Sequence, residues 1–155
     1  MRDVADAEDI VKEIFIDASP DEVFPYLTRS DRYVLWMGLS AQLDARPGGT
    51  YRVDPNGENV ILGEFVEVVP PRRVVFTFGF ARPESPVPAG STTVEIDLIP
   101  RGSGTLLRLV HRGSPPERRD SHDQGWTHYL GRLATVASGG DPGRDRLADP
   151  SARHD

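Results

Sequence analysis

The chain contains no cysteine. Disulfides, thiolate metal sites and a cysteine nucleophile are therefore excluded together. Lysine is nearly missing as well: Lys12 stands alone, and arginine supplies the rest of the 18 basic residues. With abundant Asp, Gly and Pro, this reads as the coding bias of a GC-rich bacterial genome rather than a binding signal. No stretch approaches the ~18 consecutive apolar residues of a membrane-spanning helix, and the opening Met-Arg-Asp-Val-Ala-Asp lacks the apolar core of a signal peptide. A soluble cytoplasmic protein is the expectation. A net charge of −6 disfavours the clustered positive charge that binds phosphate backbones, so nucleic acid is not an expected partner.

Catalytic signatures are missing too. No GxSxG elbow, phosphate loop or GxGxxG context occurs, and Gly48-Gly49 reads as a hairpin turn. No HxxxH or HxH spacing supports a metal among His111, His122 and Asp123. No metal, cofactor or catalytic residue is assigned, and the reading leans away from an enzyme.

What the sequence does contain is architecture. At 155 residues one domain is expected, able to bury roughly 70% of its unfolded surface. It is placed at 1–143, with an irregular tail over 144–155 and a polar, frayed or capping start over 1–9. Ser121 to Ser138 is the longest amphipathic run: Trp126, Tyr129, Leu130, Leu133 and Ala137 form one stripe. Ser121 with Gln124 has the form of a capping box, and Gly139-Gly140 before Pro142 is the stop. A lone helix of this length is marginal in water, so the stripe must lie against an apolar face.

The rest is short strands. Ile10 to Asp17 alternates with Ile10, Ile14 and Ile16 inward. Ser19-Pro20-Asp21-Glu22 opens a helix with its own capping box, and Ser30 or Asp31 caps a second short one. Strands follow at 39–45, 50–54, 60–69, 73–80, 91–99 and 105–111, joined by Pro/Gly/Asn turns and by a loop over 81–90 with three prolines. The outer parity of the later strands, Glu95, Asp97 and Arg108, reads polar, and Arg108 and Arg132 are expected at the surface or paired with such carboxylates. The order is α+β: a curved antiparallel sheet of six to seven strands around a long C-terminal helix, with two short helices after the first strand. A helix laid in a twisted sheet's concavity leaves a hollow, the natural place for a ligand.

The pieces IDASPDEVFPYLT, YVLWMG, ARPGGTYR, GEFVEVVPPRRVVFTFGF, GTLLRLVHRG and GWTHYLGRLATVASGGDPG, in that order, resemble the helix-grip fold of the START and SRPBCC superfamily. Within it the chain looks most like the heat-shock protein 90 ATPase activator-like branch. That superfamily includes lipid and hormone binders, polyketide cyclases and co-chaperone domains, so fold alone does not choose a function. The resemblance places Trp36-Met37 at the rim of the hollow. The candidate ligand contacts are Trp36, Phe65, Phe76, Phe78, Val94, Ile96, Leu109, His111, Trp126, Tyr129, Leu130 and Leu133. His111 either titrates against a polar ligand group or is a satisfied structural histidine. The aromatics either line a pocket with the Tyr129 hydroxyl as anchor or pack as core. His122 falls at the mouth end of the helix, and His128 points away.

The favoured reading is a module binding a small hydrophobic molecule. Second is a cyclase- or aromatase-like enzyme in the same cavity, with His111 and Tyr129 transferring protons. A chaperone or other protein partner comes third, because the eukaryotic co-chaperones carry a further N-terminal domain for which this chain has no room. Self-association as a homodimer stays open.

Overall fold

The computed structural model describes residues 9–145. The start expected to fray and most of the expected tail lie outside the described residues. Strand β1 (Ile10–Ile16) follows its alternation, with Ile10 and Ile16 buried and Val11, Glu13 and Phe15 exposed. Helix α1 (Pro20–Thr28) opens on the predicted capping box. The Ser19 Oγ accepts from the Glu22 N–H at 3.2 Å, and the Glu22 carboxylate accepts from the Ser19 N–H at 2.8 Å. Helix α2 (Ser30–Tyr33) departs from expectation: Arg29 occupies the cap position, without a side-chain cap bond. The Ser30 hydroxyl instead accepts from the Leu43 N–H at 3.0 Å, fastening α2 to the next strand.

The remaining elements are β2 (Ser40–Leu43), β3 (Thr50–Asp54), β4 (Ile61–Val69), β5 (Arg73–Phe78), β6 (Thr92–Arg101) and β7 (Gly104–Arg112). A 3-10 turn (Pro116–Arg118) then runs into α3 (Arg119–Ala137). The seven strands form one sheet in the order β1-β7-β6-β5-β4-β3-β2, with every neighbouring pair antiparallel. A register shift between Phe65 and Glu67 bends β4 against β5. Helix α3 packs on β1 and α1, with Trp126, Tyr129, Leu130 and Leu133 buried. It starts two residues before Ser121, because the 3-10 turn supplies its first backbone partners. Ser121 therefore caps nothing: its hydroxyl donates to the Arg118 carbonyl at 3.0 Å.

Arg108 and Arg132 face carboxylates as expected, though these are Glu13 and, at 4.0 Å, Asp145 rather than Glu95 or Asp97. The Arg132 guanidinium donates to the carbonyls of Trp36 (3.1 Å) and Gly143 (3.0 Å), joining the segment after α2, helix α3 and the returning C-terminal chain. His128, on the same side, bonds Asp145 at 2.7 Å. Arg108 faces Glu13 at 3.5 Å, while Asp97 and Glu95 are taken by Arg73 and Arg112. The outer sheet face is less polar than its charged residues suggest. Phe15 pairs with Leu106 and Leu106 with Ile99, and Phe15 and Ile99 are both exposed, giving a short apolar row across β1, β7 and β6.

The interior is divided. Under α1 and α2, Tyr33, Trp36, Tyr51, Phe65 and Phe76 are all fully buried. Tyr51 stacks on Phe76 with centroids 4.0 Å apart, and the edges of Tyr33 and Phe65 meet Tyr51 at 5.8 Å. The Tyr33 and Tyr51 hydroxyls bond each other, and burial pushes both well above the ordinary tyrosine range. The Trp36 indole donates to the Tyr26 carbonyl at 2.9 Å. This half of the concavity is filled.

Candidate functional site

The hollow lies at the other end, between the first turns of α3 and two loops. It has a volume of about 640 Å³. The β3–β4 turn is rigidified by its own side chains: Asp54 accepts from the Asn56 and Gly57 N–H groups, and the buried Asn56 accepts from those of Glu58 and Asn59. Gly57 adopts φ +82°, the left-handed conformation such a turn requires. The β5–β6 loop folds back so that the Phe80 N–H donates to the Val87 carbonyl at 2.8 Å, and Val87 is buried. At Gly79 a Cβ would fall 1.7 Å from the Pro88 carbonyl oxygen. Only glycine lets this loop approach β5 so closely. From α3 and its preceding turn come Arg118, Ser121, His122, Gly125, Trp126 and Tyr129; Met37, Ile61, Phe78 and Phe80 complete the apolar wall.

His111 is not part of that wall. The Trp126 indole N–H donates to its Nδ1 at 3.0 Å, which makes Nδ1 the acceptor. Nε2 then carries the proton and donates to the Thr92 Oγ1 at 2.8 Å, while the Thr92 hydroxyl donates to the Phe78 carbonyl at 2.7 Å. Both ring nitrogens are committed. Burial, with a smaller contribution from the neighbouring His122, pushes the His111 pKa down to about 3. His111 is a neutral bracket between β5, β6, β7 and α3, and the structural alternative is the one the geometry supports.

His122 is the histidine that lines the cavity. Its ring stacks on His111, with centroids 5.1 Å apart and planes 7° from parallel. Its Nδ1 bonds the buried Ser114 hydroxyl at 2.9 Å, leaving Nε2 with no bond among the described residues on a side chain that lines the hollow. Burial and then the positive Arg118 lower its pKa, so it is neutral near pH 7. Tyr129 is the second such group. It borders the cavity, its hydroxyl makes no hydrogen bond among the described residues, and burial first, then the charge of Asp145, raise its pKa.

Of the twelve expected contacts, Phe78, Trp126 and Tyr129 border this cavity. Trp36, Phe65 and Phe76 belong to the packed aromatic cluster, and Val94, Ile96, Leu109, Leu130 and Leu133 are core residues off the cavity wall. Met37, rather than Trp36, reaches the rim. The residues that sequence reasoning did not assign come from the loops: Asn56, Phe80, Arg82 and Val87, with Arg118 beside α3. For Arg82 and Val87 the proline-rich stretch over 81–90 was the visible signal. Among the described residues no group of three or more His, Asp or Glu side chains could hold a metal ion, and no helix is long and apolar enough to cross a membrane.

A sheet curled about a C-terminal helix, with short helices after the first strand, is the helix-grip architecture of the START/SRPBCC superfamily. Within that class the profile of the family described as "Activator of Hsp90 ATPase homolog 1-like protein" matches residues 17–138, and the chain belongs to this family. It is similar to an AHSA1-like protein from Rhizobium etli, with 45% identity over 88% of this chain and 86% of that one, TM-score 0.70. CalU16 from Micromonospora echinospora is 27% identical over 84% of this chain and 76% of its own, TM-score 0.70. DynU16, a protein in the dynemicin biosynthetic locus, shares the fold at 23% identity and TM-score 0.77; the match covers 93% of this chain but 51% of that one. No curated protein matches the chain at a significant level.

Proposed function

We propose that this protein binds a small aromatic or otherwise apolar molecule between the start of α3, the β3–β4 turn and the β5–β6 loop. The observation that carries the reading is the cavity itself: about 640 Å³ in a chain whose neighbouring aromatics pack tightly, with Phe78, Phe80 and Trp126 beside two polar atoms that no described residue engages. An aromatic side faced by polar groups that can fix a ligand's orientation is what a small-molecule site requires, and polar or charged residues such as Asn56, Glu58, Arg82, Glu84 and Arg118 make up about half of this lining. Mass spectrometry of the purified protein under native conditions, alone and with a panel of aromatic polyketides and lipids, tests it. A stoichiometric adduct supports the proposal. A chain that stays unliganded across the panel counts against it.

The enzyme reading is favoured by one observation, the place of His122 on the cavity wall. A neutral imidazole whose Nδ1–H donates to Ser114 has its unbonded Nε2 free to accept a proton. His111, both of whose nitrogens are bonded, is not. The presence of a fold relative in a biosynthetic locus is compatible with this chemistry. Turnover of any panel member that is lost in His122→Gln but kept in Arg108→Ala would support it. A role beside a chaperone rests on the family's description alone.

A further inference from the structure

We infer that the cavity selects aromatic ligands bearing an anionic group, which Arg118 and the His122 Nε2 receive at the α3 end. The inference rests on the cavity being the binding site and adds the charge of what it holds.

The apolar and charged parts of the wall are separated. Phe78 and Trp126 form one side, with ring centroids 6.1 Å apart, and Phe80 adjoins Phe78 edge-on at 5.6 Å. A planar ring placed against these side chains is bordered at the helix start by His122, whose ring lies 5.9 Å from that of Phe78. Arg118 lies beside His122 and lines the same hollow. Its guanidinium has no carboxylate partner or hydrogen bond among the described residues. Arg73 pairs with Asp97 and Arg112 with Glu95, whereas Arg52, Arg72 and Arg101 share with Arg118 the lack of an ion pair among the described residues; of these four only Arg118 lines the hollow.

Acidic residues also reach the wall, but elsewhere. Glu84 sits on the β5–β6 loop facing Arg82 at 4.0 Å, and Glu58 sits on the β3–β4 turn. Arg118 is close enough to His122 for its charge to add to the effect of burial in lowering the imidazole's pKa. Asp120, in the first turn of α3, is not on the wall. A cation with no partner among the described residues, next to an imidazole whose Nε2–H is a donor in the tautomer where Nδ1 accepts from the Ser114 hydroxyl, is a receptor for a carboxylate, sulfonate or phenolate. Charge-assisted hydrogen bonds from such groups are the strong kind.

Two fluorescent probes of similar ring system separate charge from shape: anilinonaphthalene sulfonate, an anion, and N-phenylnaphthylamine, its neutral counterpart. The wild-type protein is expected to bind the sulfonate more tightly. Arg118→Gln should weaken sulfonate binding roughly tenfold and change the neutral probe by less than about twofold. His122→Phe keeps the stack on His111 and removes the nitrogen, and it should reproduce the same selective loss. Neutral-probe binding with no preference for the sulfonate, or sulfonate affinity indifferent to both substitutions, overturns the charge assignment and leaves the cavity reading standing. Failure of the wild type to bind either probe overturns both.

Discussion

Gly125 offers the sharpest separation between a binding cavity and an incidental void. It lies within α3 and borders the hollow, and a Cβ built there meets nothing within 4 Å. Glycine in a helix interior costs roughly 0.5–1 kcal/mol relative to a good helix former. Gly125→Leu should therefore stabilise the fold by about that amount, raising Tm by roughly 1–4 °C for a chain of this size. The same leucine projects into the space a ligand ring would occupy. Overpacking costs of ~1–3 kcal/mol correspond to a loss of affinity between about fivefold and a hundredfold. Gly131 supplies the control: it lies on the same helix, is equally open and is not on the cavity wall. Gly131→Leu should raise Tm similarly and leave binding alone. Thermal denaturation and probe titration on both variants decide the matter. A Gly125→Leu protein that is more stable yet binds as well as wild type would refute the assignment of the site.

Other outcomes follow from the interior. His111 is held neutral with a pKa near 3 against 6.5 in the unfolded chain, so below pH 6.5 the unfolded state takes up a proton that the folded state refuses. Stability should fall by up to about 1.4 kcal/mol per pH unit as pH drops from about 6.5 towards 3, and denaturant titrations of His111→Gln should lack this component while starting from lower stability at pH 7. Thr92→Val leaves the buried His111 Nε2–H without its acceptor and should cost ~1–3 kcal/mol, measured by the urea midpoint. Leu133→Ala, at a fully buried position of α3, should cost ~2–5 kcal/mol.

The architecture was legible because it is written in local pattern. The alternation of Val94, Ile96 and Leu98, the box at Ser19 and Glu22, and the stripe from Trp126 to Leu133 each have one stable solution, and chain order then places the long helix against the sheet. The position of the hollow is not a local property. Whether Tyr51, Phe65 and Phe76 line a cavity or fill one depends on cross-strand register, Phe65 opposite Phe76 and Tyr51 opposite Gly63, and on Tyr33 arriving from α2. No periodicity contains that meeting. The exchange of roles between His111 and His122 has the same origin. Strand parity correctly turned His111 inward, but the bonding of its two ring nitrogens to Thr92 and Trp126 depends on two neighbouring elements. Ser121 looked like a helix start because the 3-10 turn at Pro116 leaves little trace in the apolar pattern.

Where a bound ring sits is the most direct test of the account. NMR of the protein with N-phenylnaphthylamine should show intermolecular NOEs from the probe to Phe78, Phe80 and Trp126, and none to Tyr51 or Phe76. NOEs confined to Phe15 and Ile99 on the outer sheet face, or their absence at Trp126 under saturating probe, would contradict it.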